Sequence, residues 1–449
     1  MNKIACTFAA LLCCFLSIGQ LKVGHLLTEG LNNPLGLDIR APRFSWQMTA
    51  PDRGIRQTAY ELQVTGNGKE TVWSSGKINS DGSLWVAYAG KPLESGKRYF
   101  WRVRIWDNKG RASGWSAPAW WQTALLSPAD WTAKWITPGF EELPSLPSPL
   151  FRKEFTTDKS VQSATVYITA HGLYEAQLNG RRIGDGFLTP GWTSYNKRLQ
   201  YQVYDVTELL RSGQNALGVT LANGWYRGFI GFSGQKDFYG KDISLLLQLV
   251  IRYKDGSTAT IVSDGSWKSS TGEVRSAEIY NGETIDAREE KAGWAQPGYD
   301  DKGWSGVKIE EFPMTNLIAT YNQPVKKQEV FHPQRLFSSP AGEQLVDFGQ
   351  NLVGWVSLKA RGKAGDRIII SHAEVLDKTG NFYTDNLRSA KASDTFILKG
   401  NGDEVFEPHF TFHGFRYIRI EGYPGVLSKD DLQAVALYSD MPRTGSFRC

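Results

Sequence analysis

The sequence is poor in cysteine and histidine. Of its 449 residues, four are cysteine and six are histidine. Three of the cysteines fall within the first 19 residues, so an exported chain that loses this stretch keeps Cys449 alone and forms no intramolecular disulfide. A zinc site is not predicted either, because His409 and His413, on a predicted strand, would lie roughly 13 Å apart. The sequence therefore identifies no set of zinc ligands.

Long blocks of one charge are also absent. The chain has 51 lysine and arginine residues against 46 aspartate and glutamate residues, and the two signs are interspersed. Without a basic block, no nucleic-acid partner is predicted. The sequence has no G-x-S-x-G in a strand-to-helix context and no Walker-type loop, so it predicts neither a serine hydrolase nor a nucleotide cofactor. It also lacks heptads and low-complexity tracts.

Residues 1–19 predict a signal peptide. Lys3 supplies the charged start, residues 4–18 form an apolar run, and Ser17 and Gly19 are small residues before a cleavage point. The run is shorter than the roughly 20 residues of a spanning helix. We therefore expect export to the periplasm, the cell surface or the medium. Lipid attachment at Cys13 or Cys14 is the alternative, although Leu12 stands where a small residue is expected.

The abundant residues point to an all-β protein. There are 16 Trp, 18 Tyr, 22 Phe and 46 Gly, a composition typical of short strands with many turns. Aromatic rings serve as core, and they also stack on the apolar faces of sugars. The strand from Tyr99 to Trp106 has large apolar residues at alternate positions, which predicts one buried face. It closes on a turn at residues 107–110, and residues 20–125 are predicted to form one small sandwich.

Two further domains follow a proline-rich stretch, residues 126–150, that predicts a linker. In residues 151–318, Asn179 and Gly180 predict a hairpin turn, and Thr207 is expected to cap one short helix through Leu210. In residues 319–439, the run at 368–370 predicts a buried strand, and the alternation around Phe410 predicts another. No helix longer than about two turns is predicted.

Several long motifs resemble one known family. Between Leu345 and Gly422 the chain reads LVDFGQNLVGW, SHAEVLDKTGNFYTDNLRSAKASDTFIL and FTFHGFRYIRIEG, and upstream it reads LNGRRIGDGFLTPGWTSYNKR and YDVTELL. These resemble the non-catalytic β-domains of bacterial α-L-rhamnosidases, which are inverting glycoside hydrolases. The resemblance implies three tandem β-sandwiches: a fibronectin type III-like domain at 20–125, a jelly-roll sugar-binding-like domain at 151–318 and a concanavalin-like domain at 319–439.

The same resemblance implies that the catalytic helical barrel is absent and that residues 440–449 are its truncated lead-in. Inverting hydrolysis requires an acid and a base roughly 6.5 to 9.5 Å apart, and the family carries this pair in the barrel, whose acid-rich motif does not occur here. We therefore expect a chain that is inactive alone. Contacts between domains or with the sugar pocket are expected instead from five residues: Glu283, Asp286, Glu374, Asp385 and Arg388.

The second domain also resembles rhamnose-binding modules, some of which hold the sugar through calcium. Oxygen ligands would come from Asn179, Asp185 and Asn223, and stacking from Trp192, Tyr195 and Trp225. A structural role, with Asn179 in a turn and Trp192 in the core, is the competing interpretation. Rhamnose-containing glycans are the expected partners. Two other functions stay open: a stand-alone carbohydrate-binding or surface-adhesion protein, and a partner of a separately encoded catalytic barrel.

Overall fold

The computed structural model describes residues 21–67, 70–143, 145–230 and 234–448. The chain divides into two compact units, the first ending at Leu126 and the second beginning at Ser127. The predicted signal peptide, residues 1–19, lies outside the described residues. Within the described part, none of the helices has the length and apolar character needed to cross a membrane.

The first unit consists of short strands in two sheets. One sheet has the order β1-β3-β7, and the other has the order β2-β9-β8-β4-β5 with β6 paired to β4. The strands are β1 (Lys22–Thr28), β2 (Leu35–Leu37), β3 (Arg43–Thr49), β4 (Gln57–Gly66), β5 (Glu70–Ser74), β6 (Ile78–Asn79), β7 (Val86–Ala87), β8 (Arg98–Asp107) and β9 (Ala119–Thr123).

Strand β8 supplies one buried face to the core of the first unit. Tyr99, Trp101, Val103 and Ile105 are buried on one face, as their alternation predicted. Rings from both sheets meet in this core, for example Phe44 of β3, whose centroid lies 4.5 Å from that of Trp101. Each large apolar side chain buried in this way stabilises the fold by about 1.5–3 kcal/mol.

The second unit begins with a two-sheet sandwich. Its sheets have the orders β22-β10-β17-β12-β15-β23, with β18 on β17, and β14-β13-β16-β11-β19. The elements are β10 (Trp135–Pro138), β11 (Pro149–Thr157), β12 (Val161–His171), β13 (Leu173–Leu178), β14 (Arg181–Arg182), β15 (Leu199–Asp205), β16 (Gly213–Ala222), helix α1 (Gly224–Arg227), β17 (Ser244–Tyr253), β18 (Thr258–Val262), β19 (Lys268–Thr271), β22 (Val307–Glu310) and β23 (Leu317–Ala319), with 3₁₀ turns at Pro128–Asp130 and Thr207–Leu209.

The hairpin prediction in this sandwich is confirmed. Asn179 and Gly180 connect β13 to β14 with positive φ angles of 56° and 74°, as a tight hairpin requires. The helix-cap prediction is wrong. The 3₁₀ turn after Val206 has no side-chain cap, and the Thr207 hydroxyl instead accepts the amide of Ala164 and donates to the Asp205 carboxylate.

The predicted linker at residues 126–150 is partly folded into the sandwich. Strand β10 pairs with both β17 and β22, and its residues Trp135 and Ile136 are buried. The proline content of this stretch predicted a connector, but the apolar pair supplies a strand to the sheet. The four-residue α1 agrees with the expectation of an all-β fold without long helices.

The remaining strands form one ten-stranded sheet, β20-β21-β28-β27-β30-β26-β31-β24, with β25 and β29 paired to β26. Its strands are β20 (Val274–Glu278), β21 (Gly282–Asp286), β24 (Val325–Phe331), β25 (Arg335–Ser338), β26 (Gln344–Arg361), β27 (Arg367–Ala373), β28 (Ser393–Ile397), β29 (Asp403–Phe406), β30 (His413–Glu421) and β31 (Leu432–Ser439), with 3₁₀ turns at Ala287–Glu289, Asp385–Leu387 and Lys429–Asp431. We call this the third sheet.

Residues 274–286 join the third sheet although the sequence places them in the second domain. Strand β21 runs parallel to β28. Gly282 permits the close approach, because its φ is 109° and a Cβ atom there would lie 2.1 Å from the Ser393 carbonyl oxygen. Strands β20 and β21 of the predicted second domain therefore belong to the third sheet.

One predicted strand of the third domain is wrong and one is confirmed. Strand β27 contains the apolar run at 368–370, with Ile368 and Ile370 buried. Residues 409–412, in contrast, are not a strand, and β30 begins only at His413. These residues do not form a strand because the amides of His409 and Phe410 donate to the Glu283 carboxylate instead of to a neighbouring strand.

Candidate functional site: an aromatic cavity and two histidine–carboxylate clusters

A cavity of about 490 Å³ opens beside the loop that connects β14 to β15. Three of the predicted sugar-binding residues, Asp185, Trp192 and Trp225, line it. The loop contributes the first two, and helix α1 contributes the third. Segments 320–325 and 439–441, which lead into and out of the third sheet, complete the wall. We call this the aromatic cavity.

Two parallel indoles dominate the aromatic cavity. The rings of Trp192 and Trp225 lie 5.9 Å apart with planes 6° from parallel. Their Nε1 atoms donate to the hydroxyls of Tyr239 and Tyr280, respectively, at 3.1 Å. Trp192 is 50% exposed and Trp225 is 8% exposed. The hydrogen bonds fix both rings and leave Trp192 with a face that a ligand can reach.

Glutamine side chains of β15 supply polar groups to the same cavity. Gln202 is engaged at both ends of its amide, since it accepts from the Tyr174 hydroxyl and donates to the Pro190 carbonyl. Gln200 accepts from Thr320 at 2.6 Å, but its buried Nε2 has no hydrogen-bond partner among the described residues. A buried amide without an acceptor is costly, but this nitrogen has no accessible surface, so it is not open to a ligand in the cavity.

Asp185 places a carboxylate at the rim. Its side chain is 75% exposed and lies 2.9 Å from Lys326, which also contacts Asp440 at 2.9 Å. Lys326 lies near the start of β24 and Asp440 follows β31, so the ammonium group links the β14–β15 loop to the start of one strand and the end of its neighbour. The two carboxylates raise the pKa of Lys326, so the ammonium stays charged at neutral pH.

Three of the predicted sugar-binding residues lie elsewhere. The Asn179 amide is 2% exposed, accepts from Ala216 and donates to Leu209 and Asn215. It therefore stabilises the hairpin. Tyr195 is 2% exposed, and its hydroxyl donates to the Gly191 carbonyl.

Asn223 is equally committed to internal contacts. Its oxygen accepts from Arg227 at 2.7 Å and its nitrogen donates to Glu278 at 2.7 Å. With the oxygens of Asn179 and Asn223 already engaged, only Asp185 of the three predicted calcium ligands offers an accessible oxygen. The predicted calcium set is therefore not assembled, because a calcium ion requires six to eight oxygen ligands.

A second polar group, which we call the His409 cluster, consists of Glu175, Glu283 and His409. The His409 Nδ1 lies 3.1 Å from a Glu175 oxygen. The Glu283 carboxylate, 1% exposed, accepts the backbone amides of His409 and Phe410 at 2.8 and 3.0 Å. The cluster thereby connects β13 of the two-sheet sandwich to β21 of the third sheet.

Burial and charge act in opposite directions in the His409 cluster. Burial disfavours the imidazolium, but the Glu175 carboxylate outweighs this and raises the pKa of His409 to about 9. Burial likewise opposes ionisation of Glu175, yet His409 and Arg182 lower its pKa to about 2. Burial dominates at Glu283 and raises its pKa to about 7. The cluster is an ion pair beside a carboxyl that ionises with difficulty.

The other residues predicted for interdomain or sugar contact are dispersed. Asp286 caps the turn at 287–289 and pairs with Arg288 at 2.7 Å, which lowers its pKa. Glu374 accepts from Asn351 and Asn386. Asp385 and Arg388 are exposed at a 3₁₀ turn, where Arg388 has a φ of 58°. None of these four lines the aromatic cavity.

The third group, which we call the His372 cluster, consists of His372, Asp394 and His413. Their exposed fractions are 0%, 1% and 3%, and one ligand atom from each lies within 4.8 Å of the others. Sequence reasoning missed this group, since it considered His413 only with His409. The alternation of side chains within β27 and β28 was the available signal in the sequence. It identifies neighbouring residues only once the register between the two strands is known.

The fold and these sites define a class first: a modular β-sandwich protein with an aromatic cavity. Comparison with known proteins then gives the family. Three family models match in order along the chain: the Rha78A-like N-terminal immunoglobulin domain at residues 23–127, the α-L-rhamnosidase N-terminal domain at 159–329 and the bacterial α-L-rhamnosidase concanavalin-like domain at 338–438. The chain belongs to the bacterial α-L-rhamnosidase family, of which it carries N-terminal domains.

Individual relatives agree. An α-L-rhamnosidase of Formosa agariphila is 38% identical over 94% of this chain and 48% of its own length. The crystal structure of the native Aspergillus terreus α-L-rhamnosidase matches with a TM-score of 0.89 and 40% identity, covering 96% of this chain and 50% of that one. That of the Streptomyces avermitilis enzyme complexed with L-rhamnose has a TM-score of 0.88 and 32% identity, over 94% and 58%. The chain thus spans about half the length of these relatives.

Proposed function

We propose that the described domains are the non-catalytic, sugar-engaging part of an α-L-rhamnosidase, an enzyme that hydrolyses terminal α-L-rhamnosides with inversion. Family membership supports this, as do the names of relatives that match along nearly the whole chain. The hydrolytic activity, the substrate and the partners are proposed for the whole protein, because about half of each relative lies outside the match with this chain.

The carboxylate pair Glu283 and Asp286 is unsuited to the reaction. The two residues are three positions apart on β21, so their side chains point to opposite faces. Glu283 binds two backbone amides and Asp286 binds Arg288. Inversion needs an acid and a base on either side of one glycosidic bond, and this pair does not offer that arrangement.

An assay on an aryl α-L-rhamnoside tests the catalytic part of the proposal. We expect the purified chain to release no rhamnose above the background of buffer. Clear turnover that survives Glu283→Gln would show a hydrolytic site elsewhere in the chain and would overturn the accessory role. Turnover abolished by that substitution would overturn it too, and would identify Glu283 as catalytic.

Carbohydrate recognition is proposed for the aromatic cavity. The observation that carries it is the convergence of an accessible indole face and an exposed carboxylate, supplied by Trp192 and Asp185. The apolar face of a deoxy sugar stacks on such a ring, while its hydroxyls bind the polar groups. L-rhamnose, with its methyl group, suits this mixture.

Calorimetry with L-rhamnose tests recognition. We expect a dissociation constant on the order of 1 mM and a loss of binding in Trp192→Ala. Trp85→Ala is the matched control, because Trp85 is 49% exposed but belongs to the first unit. Titrations with and without calcium should be identical, since two of the three predicted calcium ligands, Asn179 and Asn223, are engaged in internal hydrogen bonds. Absence of heat for the unmodified protein would remove this part of the proposal without touching the accessory role.

A stand-alone glycan-binding or surface-adhesion protein is the alternative, and the same cavity would serve it. Association with a separately encoded catalytic barrel is a further one, favoured by apolar side chains that the third sheet exposes, including Val353 and Tyr438, each 49% exposed. Co-purification of the chain with such a barrel, with rhamnosidase activity only in the mixture, would support docking. Glycan binding with no association and no activity would support the stand-alone role.

Export is proposed from the leader alone. The charged start, apolar run and small residues of 1–19 support it. Intact-mass measurement of the protein recovered from the periplasm or the medium should show removal of the leader near Gly19. A full-length chain retained in the cytoplasm would contradict export.

A further inference from the structure

The outward face of β8 in the first unit carries a stack of cations and indoles. Arg102 and Arg104 alternate along the strand with its buried residues, so both point away from the core. Their guanidinium carbons lie 4.6 and 4.8 Å from the ring centre of Trp115. Arg104 and the Lys77 ammonium lie 5.2 and 4.4 Å from the ring centre of Trp106. Because two cations lie over each indole, the rings hold positive charge at the surface. We call these five residues the cation ladder.

Two cations of the ladder are not neutralised. Arg104 pairs with Glu61 at 2.6 Å, whereas Arg102 and Lys77, both exposed, make no ion pair within the described part of the chain. The Arg102 Nε donates to Gln63 at 2.8 Å, and the Gln63 amide donates to the Thr71 hydroxyl at 3.1 Å. This chain of hydrogen bonds orients the guanidinium group and leaves its two terminal nitrogens available to an anion.

A depression of about 380 Å³ lies beside Arg102 on the same face of the sheet. Its polar wall includes Gln63, Thr65 and Thr71, and the Phe100 ring contributes an apolar part. Amide and hydroxyl groups of this kind form hydrogen bonds with sugar hydroxyls. A guanidinium group binds a carboxylate through two parallel hydrogen bonds. The depression therefore suits a sugar that carries a carboxylate.

The charge of the first unit favours the same kind of partner. Residues 21–126 contain 14 lysine and arginine residues against eight aspartate and glutamate residues, a net charge of +6. The whole chain has a net charge of +5, so the excess positive charge belongs to this unit. A surface with such an excess attracts polyanions.

We propose that the cation ladder and its depression bind an acidic polysaccharide, with a uronate carboxylate on Arg102. A nucleic acid suits this surface less well. Its affinity depends on several lysine and arginine contacts to phosphates and on open aromatic rings for its bases, whereas here the indoles are engaged by cations and Arg104 is paired with Glu61. The proposal concerns the first unit alone and does not depend on sugar binding in the aromatic cavity or on hydrolysis.

Calorimetry of the full-length chain tests the proposal with three polymers: polygalacturonate, neutral dextran and double-stranded DNA. We expect binding to polygalacturonate that weakens as salt is added, because salt screens the attraction, and no binding to dextran. Trp192→Ala should bind polygalacturonate as the unmodified protein does, which separates this surface from the aromatic cavity. Absence of binding to polygalacturonate, or equal binding to DNA, would overturn the proposal.

Variants assign the binding to the ladder. Arg102→Gln should weaken the affinity for polygalacturonate about tenfold, since it removes a charge-assisted pair of hydrogen bonds. Arg102→Lys keeps the charge without the fork and should fall between the two. Arg53→Gln is the matched control, because it removes the same charge from an exposed arginine of the first unit that does not line the depression.

The control decides between a defined site and general attraction. Arg53→Gln should change the affinity less than about twofold, and equal losses in Arg53→Gln and Arg102→Gln would overturn the proposal. Thermal denaturation verifies that each variant is folded. If Arg102→Gln does not fold, Lys77→Gln, which alters the exposed end of the ladder, replaces it in the same comparison with Arg53→Gln.

Discussion

Two histidines of the second unit lie beside carboxylates, yet their pKa values move in opposite directions. In the His409 cluster, the imidazole makes a 3.1 Å contact with Glu175, and the pKa of His409 rises to about 9. In the His372 cluster, Asp394 is 3.9 Å away without a hydrogen bond, and burial together with the nearby His413 lowers the pKa of His372 to about 3. A carboxylate neighbour therefore protonates a histidine only when the contact is close enough to outweigh desolvation.

The two clusters are nevertheless joined. The amide of Glu283 donates to Asp394 in the His372 cluster, while its carboxylate accepts from His409 and Phe410 in the other. One residue of β21 thus couples the interior of the third sheet to the segment that precedes β30. The His409 cluster is an ion pair between the two-sheet sandwich and the third sheet, whereas the His372 cluster is a buried group within the third sheet in which His413 contacts Asp394.

The largest effect is expected from removing the carboxylate of the His372 cluster. Asp394→Ala leaves His413 and the Glu283 amide without their acceptor inside the core. Breaking a buried pair of this kind costs about 3–5 kcal/mol in the free energy of unfolding, measurable by urea denaturation at pH 7. Asp403→Ala is the control. That carboxylate is 43% exposed and pairs with Lys359 and Arg361, so its loss should cost far less than that of Asp394. Equal costs would show that the His372 cluster is not tightly coupled.

A smaller effect is expected where the clusters meet. Glu283→Ala removes the acceptor of two backbone amides, and we expect a loss of about 2–4 kcal/mol in the free energy of unfolding. Glu283→Gln keeps a carbonyl oxygen in place, so it should cost less than about 1 kcal/mol at pH 6. Denaturation of both variants under the same conditions measures the difference. If Gln is as harmful as Ala, the carboxylate acts through its charge and not as an acceptor.

Much of the fold was predictable because it depends on local patterns. The alternation from Tyr99 to Trp106 identified β8, and Asn179-Gly180 identified the β13–β14 hairpin. The strands that cross between the predicted domains were not predictable from the sequence. Strand β21 joins β28 through a pairing that links residues more than a hundred positions apart. No local pattern carries that information.

Among the candidate site residues, too, some were predictable from local patterns and others come together only in the folded sheet. Trp192 and Trp225 were predicted as sugar-stacking residues and do share a cavity, although sugar binding itself stays a prediction. Asn179 was predicted twice, as a turn residue and as a ligand, and the structure supports the turn. His372, Asp394 and His413 lie on three strands whose register sets their distance, so only the folded sheet brings them together.

The smallest effect is expected from the His409 cluster, and it appears as a pH dependence. The pKa of His409 in the folded chain is about 9, above the 6.5 of an unfolded one, so the folded state binds more protons between these values and the free energy of unfolding must fall as pH rises through them. The side chain is 40% exposed, which limits the change to less than about 1 kcal/mol.

Urea denaturation from pH 7.5 to 9.5, above the pKa of about 7 for Glu283, should show this slope in the unmodified protein and in His332→Gln but not in His409→Gln. A slope that persists in His409→Gln would assign it to another group, and the pairing with Glu175 would then contribute no measurable stability.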